Sequence, residues 1–256
     1  MNHSDIIFWP EYGFLLENEH LGSNIILLAM CGSHAYGTNA PGSDIDLRGV
    51  AVERPNEVFG MHSFESFTDS ETDSSFLSLR RAMHLFSRCT PGWIELLGCR
   101  PEDYVYISKH GQLLIDNRQI FLSQLAAVAF GGYAKKTLKR TEKHAVENGP
   151  VEKHRTDKAL MHQARLRMML LDLLEKEEVI VYREKEHDLL MNIRGGMFTD
   201  SEGHILPEFY EFQEEWDRRL AYAEKATSLP LQPDHNAIEN LLMEIYRDRF
   251  SMAWRG

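Results

Sequence analysis

The chain has 256 residues, 43% of them apolar, and carries 28 lysines and arginines against 39 aspartates and glutamates, a net charge of −11. That length holds one large domain or two modest ones, and the negative balance argues against a protein that coats nucleic acid indiscriminately. No stretch reaches the roughly 18 apolar residues of a membrane-spanning helix. Met1-Asn2-His3-Ser4-Asp5 does not read as a signal peptide. Cys31, Cys89 and Cys99 read as reduced thiols of a cytoplasmic protein.

A lead-in with a short helix around Phe14–Leu21 precedes an apolar run, Ile25 to Cys31, that reads as a buried strand. Gly32-Ser33-His34-Ala35-Tyr36-Gly37 then opens a short helix. A second strand is expected over 45–53, ended by Pro55, and two weaker ones over 61–68 and 73–78. A helix begins near Ser78 with Leu79, Ala82, Met83, Leu85 and Phe86 on one face, and Cys89-Thr90-Pro91-Gly92 breaks it. From about 108 onward the pattern is helical: 108–117, 121–147, where Gly131-Gly132 is a candidate interruption, and 154–178. A short extended piece at 179–182 leads to helices over 186–193, 207–227 and 234–253. The division predicted is an α+β head over 1–118, a small mixed sheet flanked by helices, and an all-helical region over 119–256.

Charge is unevenly spread along this plan. Residues 1–79 hold 12 acids and only Arg48 and Arg54 as strong bases, whereas 131–167 hold ten lysines and arginines and four acids. The first region favours a metal ion and the second a phosphate.

A strand that ends in Gly32-Ser33 and opens a helix aims backbone amides and a hydroxyl at one spot, a seat for a phosphate. Asp44 and Asp46 flank Ile45, so an extended backbone puts both carboxylates on one face. Like charges that close repel unless a divalent cation lies between them, and hard oxygen donors without a nearby Cys–His set suit Mg²⁺. A phosphoryl-transfer site of this type calls for a third carboxylate. Asp69, Glu71 and Asp73 are the candidates; Asp73 is preferred, with Glu71 in reserve. His34 faces either phosphate or solvent, and Arg48 serves either the carboxylates, a phosphate or a structural ion pair. Lys135, Lys139 and Arg140 read as ordinary helix charge, while Lys158, His162 and Arg165, spaced by four and three, share one helical face.

Gly32-Ser33-His34-Ala35-Tyr36-Gly37-Thr38 followed by Ser43-Asp44-Ile45-Asp46-Leu47-Arg48-Gly49 resembles the nucleotidyltransferases of the DNA polymerase β superfamily, and within it the RNA-ligase-associated polymerase-β-like group. Similarity continues through Leu79-Arg80-Arg81 to Leu97, Lys158–Leu166, Leu189–Gly196 and Ser228–Asp234, and so over most of 24–235. The resemblance implies Mg²⁺ (or Mn²⁺) on Asp44 and Asp46; the third ligand, Asp73 with Glu71 in reserve, is chosen from its place in the chain. It implies a nucleoside triphosphate, ATP in the first instance, whose phosphates meet Gly32 and Ser33, with His34 and Arg48 beside them. It places Lys158, His162 and Arg165 as a cationic wall across the cleft. The expected reaction transfers a nucleoside monophosphate to a hydroxyl of RNA, either a tRNA or an RNA end, and releases pyrophosphate. The alternatives are transfer to a protein hydroxyl, as in small antitoxin nucleotidyltransferases, and a nucleotide- or RNA-binding module without catalysis. Two departures stand out: His34 occupies a position where many members have Arg, and Thr90-Pro91-Gly92 replaces an Asn-Pro.

Overall fold

A computed structural model describes residues 3–253. After a one-turn helix α1 (Phe14–Glu17), the apolar run forms β1 (Ile25–Met30) and turns directly into α2 (Gly32–Tyr36). β2 (Leu47–Ala51) returns antiparallel to β1. Then come α3 (Pro55–Phe59) and the hairpin of β3 (Ser66–Asp69) and β4 (Ser74–Ser78). β4 runs parallel to β2, and the Ser78 hydroxyl accepts the Arg81 amide to cap α4 (Leu79–Ser87). β5 (Tyr104–Ile107) pairs with the other side of β1, giving the order β3-β4-β2-β1-β5. The remainder is helical: α5 (Lys109–Asp116), α6 (Leu125–Asn148), α7 (Lys153–Lys176), α8 (His187–Arg194), α9 (Pro207–Ala226) and α10 (His235–Ala253). The fold is α+β, a mixed five-stranded sheet followed by a long helical region.

β1 is buried along its whole length because both sheet faces are covered. Ile25, Leu28 and Met30, with Leu47 and Ala51 of β2, pack on one side against the N-terminal segment through Ile6, Tyr12, Leu15 and Leu21. Ile26, Leu27 and Ala29, with Val50, face α4 on the other side. That second cluster continues through Leu166, Leu170 and Leu174 of α7 to Ile238, Leu241 and Ile245 of α10. Head and helical region therefore share one core, and α7 runs through the middle of it. A further apolar cluster, Leu160, Met161, Ala164, Met168, Leu190, Ile193, Phe198 and Phe209, holds α7, α8 and α9 together.

Several expectations need adjustment. The lead-in helix is four residues long, not eight. β2 starts at Leu47, so Asp44 and Asp46 lie on the extended chain before the ladder. β3 spans only Ser66–Asp69, and β5 had no distinct signal in Tyr104-Val105-Tyr106-Ile107. Gly131 and Gly132 do not break α6, because both lie on its open side, where even a Cβ would touch nothing. Residues 179–182 are extended but pair with no strand among the described residues.

Candidate functional site

The segment that carries Asp44 and Asp46 is held by its backbone. The Cys31 amide donates to Asp46 O at 2.7 Å, the Tyr12 hydroxyl to Ile45 O at 3.0 Å, and His34 Nε2 to Ser43 O at 3.2 Å. Because a carbonyl only accepts, His34 carries its proton on Nε2 here. With the carbonyls of 43, 45 and 46 tied down, the two aspartate side chains are left for other partners. None of Asp44, Asp46 and Asp73 makes a side-chain hydrogen bond or ion pair among the described residues. The Ser33 hydroxyl has no protein partner there either.

β2 and β4 run parallel, with Arg48 opposite Ser75, so Asp46 and Asp73 each stand just before a strand at the same end of the ladder. Asp69 is taken up by its own turn, where it accepts the Thr72 amide at 2.9 Å and hydroxyl at 2.8 Å. Asp73 has φ +50°, a conformation that a non-glycine residue rarely adopts and that clusters at functional turns. Burial holds the Asp46 carboxyl above its ordinary range, and the negative charge of Asp73 pushes the same way; Arg48 and Lys158 oppose them, and Asp44 adds a smaller push. Burial also raises the Tyr12 hydroxyl, with Glu11 and then Asp46 and Asp44 adding to it.

Gly32 is required by this arrangement. Its φ is +61°, and a Cβ there would come within 1.9 Å of Asp46 Oδ2. The turn thus lies directly against the carboxylate, as a phosphate bridging both would demand. Among the described residues no three His, Cys, Asp or Glu side chains are grouped so that they could hold a metal ion. A pair of carboxylates with a third alongside suits Mg²⁺, which takes one or two carboxylates and completes its shell with substrate phosphates and water.

The expected cationic wall is only partly present. Lys158 is exposed on α7 and close enough to Asp46 to favour its charged form. Arg165, expected beside it, is instead buried, 1% exposed, and its guanidinium meets Glu95 at 2.8 Å and lies 3.6 Å over the Tyr36 ring. Tyr36 donates its hydroxyl to Glu95 at 2.9 Å. Burial alone would raise Glu95, but Arg165 and Arg48 outweigh it and hold the carboxyl low. Arg165 therefore locks α7 to α2 and is withdrawn from the cleft. His162 lies against Arg165 at 3.3 Å. Burial, reinforced by that guanidinium, pushes His162 down to about 3, so its ring is neutral and adds no charge to the wall. Arg48 takes the structural alternative: it donates to Gly92 O, lies 3.7 Å from Glu95 and 5.8 Å over Trp93, while its charge still favours ionised Asp46.

The helical region grips the same turn from behind. A Cβ on Gly37 (φ +73°) would strike the Tyr182 ring at 2.4 Å, the Arg183 amide donates to Tyr36 O, and Arg194 donates to Thr38 O. The RlaP family, described as the RNA repair pathway DNA polymerase beta family, matches residues 15–244. The chain belongs to this family. No curated protein is significantly similar to it. The RlaP match extends from α1 into α10, so it covers the turn, the carboxylates and the helices that clamp them. Tyr12 lies just before the matched residues yet pins Ile45. Sequence reasoning missed Tyr12 and Glu95. Tyr12 carries no local motif, and Glu95 sits in an amphipathic run, Trp93 to Leu97, where an acid reads as solvent-facing.

Proposed function

We propose that the protein is a Mg²⁺-dependent nucleotidyltransferase that moves a nucleoside monophosphate from a nucleoside triphosphate, ATP first, to a hydroxyl on RNA. The observation that carries this reading is the Gly32 turn lying against Asp46, whose carboxyl has no protein partner among the described residues and feels the charges of Asp73 and Asp44. The family's RNA-repair description supports an RNA acceptor. Asp44, Asp46 and Asp73 would hold Mg²⁺, which when bound offsets their repulsion and the negative charge of the phosphates. The Ser33 hydroxyl and the Gly32–Ser33 amides receive phosphate oxygens, and Lys158 supplies positive charge from the helical side. His34 and Tyr12 keep the aspartate segment in place instead of touching substrate. The acceptor oxygen forms a bond to the α-phosphorus, the α–β bridging P–O bond breaks, pyrophosphate leaves, and the acceptor's proton passes to a carboxylate or to water. Lys158 would neutralise phosphate, while Arg165 acts at a distance by fixing α2.

The test is incorporation from α-labelled triphosphates with Mg²⁺ and a mixture of cellular RNA and protein. Label in RNA, lost in Asp44→Asn, is the expected result. Triphosphate binding without label from any of the four nucleotides would leave a binding module, label in protein alone would move the acceptor class, and undiminished transfer by Asp44→Asn would sink the mechanism.

A further inference from the structure

In a protein of net charge −11, one groove is lined by bases. α6 and α7 are antiparallel neighbours, and two helical rows face each other across them. Tyr133, Lys136, Arg140 and His144 recur every three or four residues on α6, and Arg155, Lys158 and His162 do so on α7. Two contacts show that the rows meet. The Tyr133 ring stands edge-on to His162 at 6.0 Å. Farther along, Arg140, Thr141 and His144 of α6 and Arg155, Thr156 and Ala159 of α7 line a cavity of about 310 Å³ with no acid in its walls.

The nearby acids are accounted for. Glu152 closes the far end, pairing with Arg155 at 3.0 Å and with His144. Glu142 accepts from Tyr210 on another side, Glu147 pairs with Lys143, and Asp157 is buried with Lys153 and Thr199. Lys136, Arg140 and Lys158 make no ion pair among the described residues. The near end reaches the candidate site, because His162 lies against Arg165, whose guanidinium rests on the Tyr36 ring of α2. Tyr133 is a large ring left 41% exposed at that end. Eleven residues of helix from Tyr133 to His144 span roughly 17 Å, room for about five stacked nucleotides.

We propose that the α6–α7 groove is the track for the single-stranded end of the RNA acceptor, with Lys136, Arg140 and Arg155 on its phosphates and Tyr133 stacking a base next to the reacting end. The inference rests on the transferase reading for its direction and on the groove's own chemistry for its occupant. A backbone-tracking row of cations beside an exposed aromatic is how single strands are held without sequence preference. His162, neutral, serves as a second face beside Tyr133 and not as a charge.

The experiment is fluorescence anisotropy of a labelled oligouridylate with the full chain, without triphosphate or Mg²⁺, over a range of salt. Lys136→Glu with Arg140→Glu is expected to weaken binding by more than about tenfold and to flatten the salt dependence. Tyr133→Ala is expected to cost about tenfold with the salt slope unchanged. Lys225→Glu, the same charge change at an exposed position of α9, should alter affinity less than about twofold. Thermal melting of each variant reports on folding. Equal losses from Lys225→Glu, unchanged affinity in the groove variants, or tighter binding of duplex than of single strand would overturn the track. RNA bound through the groove with no nucleotide transferred would sink the transferase reading and leave the track standing. Transfer to RNA that ignores the groove variants would do the reverse.

Discussion

Two charged clusters lie within reach of one another, one in the head and one where α7 meets it, and they follow opposite rules. Asp44, Asp46 and Asp73 are like charges, open to solvent or half-buried, with no protein partner among the described residues. Glu95, Arg165 and Arg48 are opposite charges, closed in beneath α2, and Tyr36 satisfies Glu95 further. The first arrangement costs free energy unless something positive arrives from outside. In the second, opposite charges meet within the chain. Uncompensated like charge thus marks where a ligand is expected, and compensated buried charge marks where two parts of a fold are fastened.

The largest expected effect is on the fastened cluster. Glu95→Gln leaves two guanidiniums without their buried counter-charge and should destabilise the fold by about 3–5 kcal/mol, read by denaturant melts. A loss below about 1 kcal/mol would show that water reaches the pair and that the contrast between the clusters is false.

Asp46→Asn should do the reverse. Transfer activity should fall on the order of 10³-fold, while stability holds or rises, because a carboxylate strained by burial and by Asp73 is replaced by a neutral amide. The pH dependence follows with its sign. Asp46 binds its proton more readily when folded than unfolded, so its contribution is most favourable below the ordinary carboxylate range and is lost as pH rises through its raised value. Mg²⁺ should offset that loss at neutral pH by raising the melting temperature of the wild type and not that of Asp46→Asn.

Gly32→Ala joins the two clusters, since the turn touches Asp46 on one side and leads into Tyr36 on the other. Positive φ costs about 1–2 kcal/mol, and the new Cβ must displace Asp46 Oδ2, so activity should fall far more than stability does. A variant that melts normally and still transfers nucleotide would remove the turn from the site. The smallest effect is expected for His34→Ala, which deletes one hydrogen bond to Ser43 O. About 1 kcal/mol of stability and a modest drop in kcat, with KM for triphosphate unchanged, would fit a residue that holds the aspartate segment. A large rise in KM would instead put the ring on phosphate.

Much of this was legible in the residues. The burial of β1 follows from an unbroken apolar run, and α7, α8, α9 and α10 appear within a residue or two of where their periodicity puts them. Gly32 and Asp46 meet because the short connection between antiparallel β1 and β2 leaves few alternatives. β5 was not legible, since four residues with tyrosines at alternate positions become a strand only when β1 offers them an edge. The row Lys158, His162, Arg165 was correctly placed on one helical face, but periodicity gives a direction and not a depth. α7 passes from the open groove into the shared core within that row. Lys158 accordingly stays in water, His162 loses its charge, and Arg165 is sealed against Glu95.

By itself, then, the sequence determined the turn, the aspartate pair beside it and the family they belong to, because local spacing fixes which groups a short segment can bring together. Only the tertiary structure decided which cations remain available and where the start of β4 lies. Parallel pairing of β2 and β4 sets the strand starts that follow Asp46 and Asp73 at the same end of the ladder, and core packing decides, side chain by side chain, whether a basic residue of α7 keeps its water or gives it up for a partner.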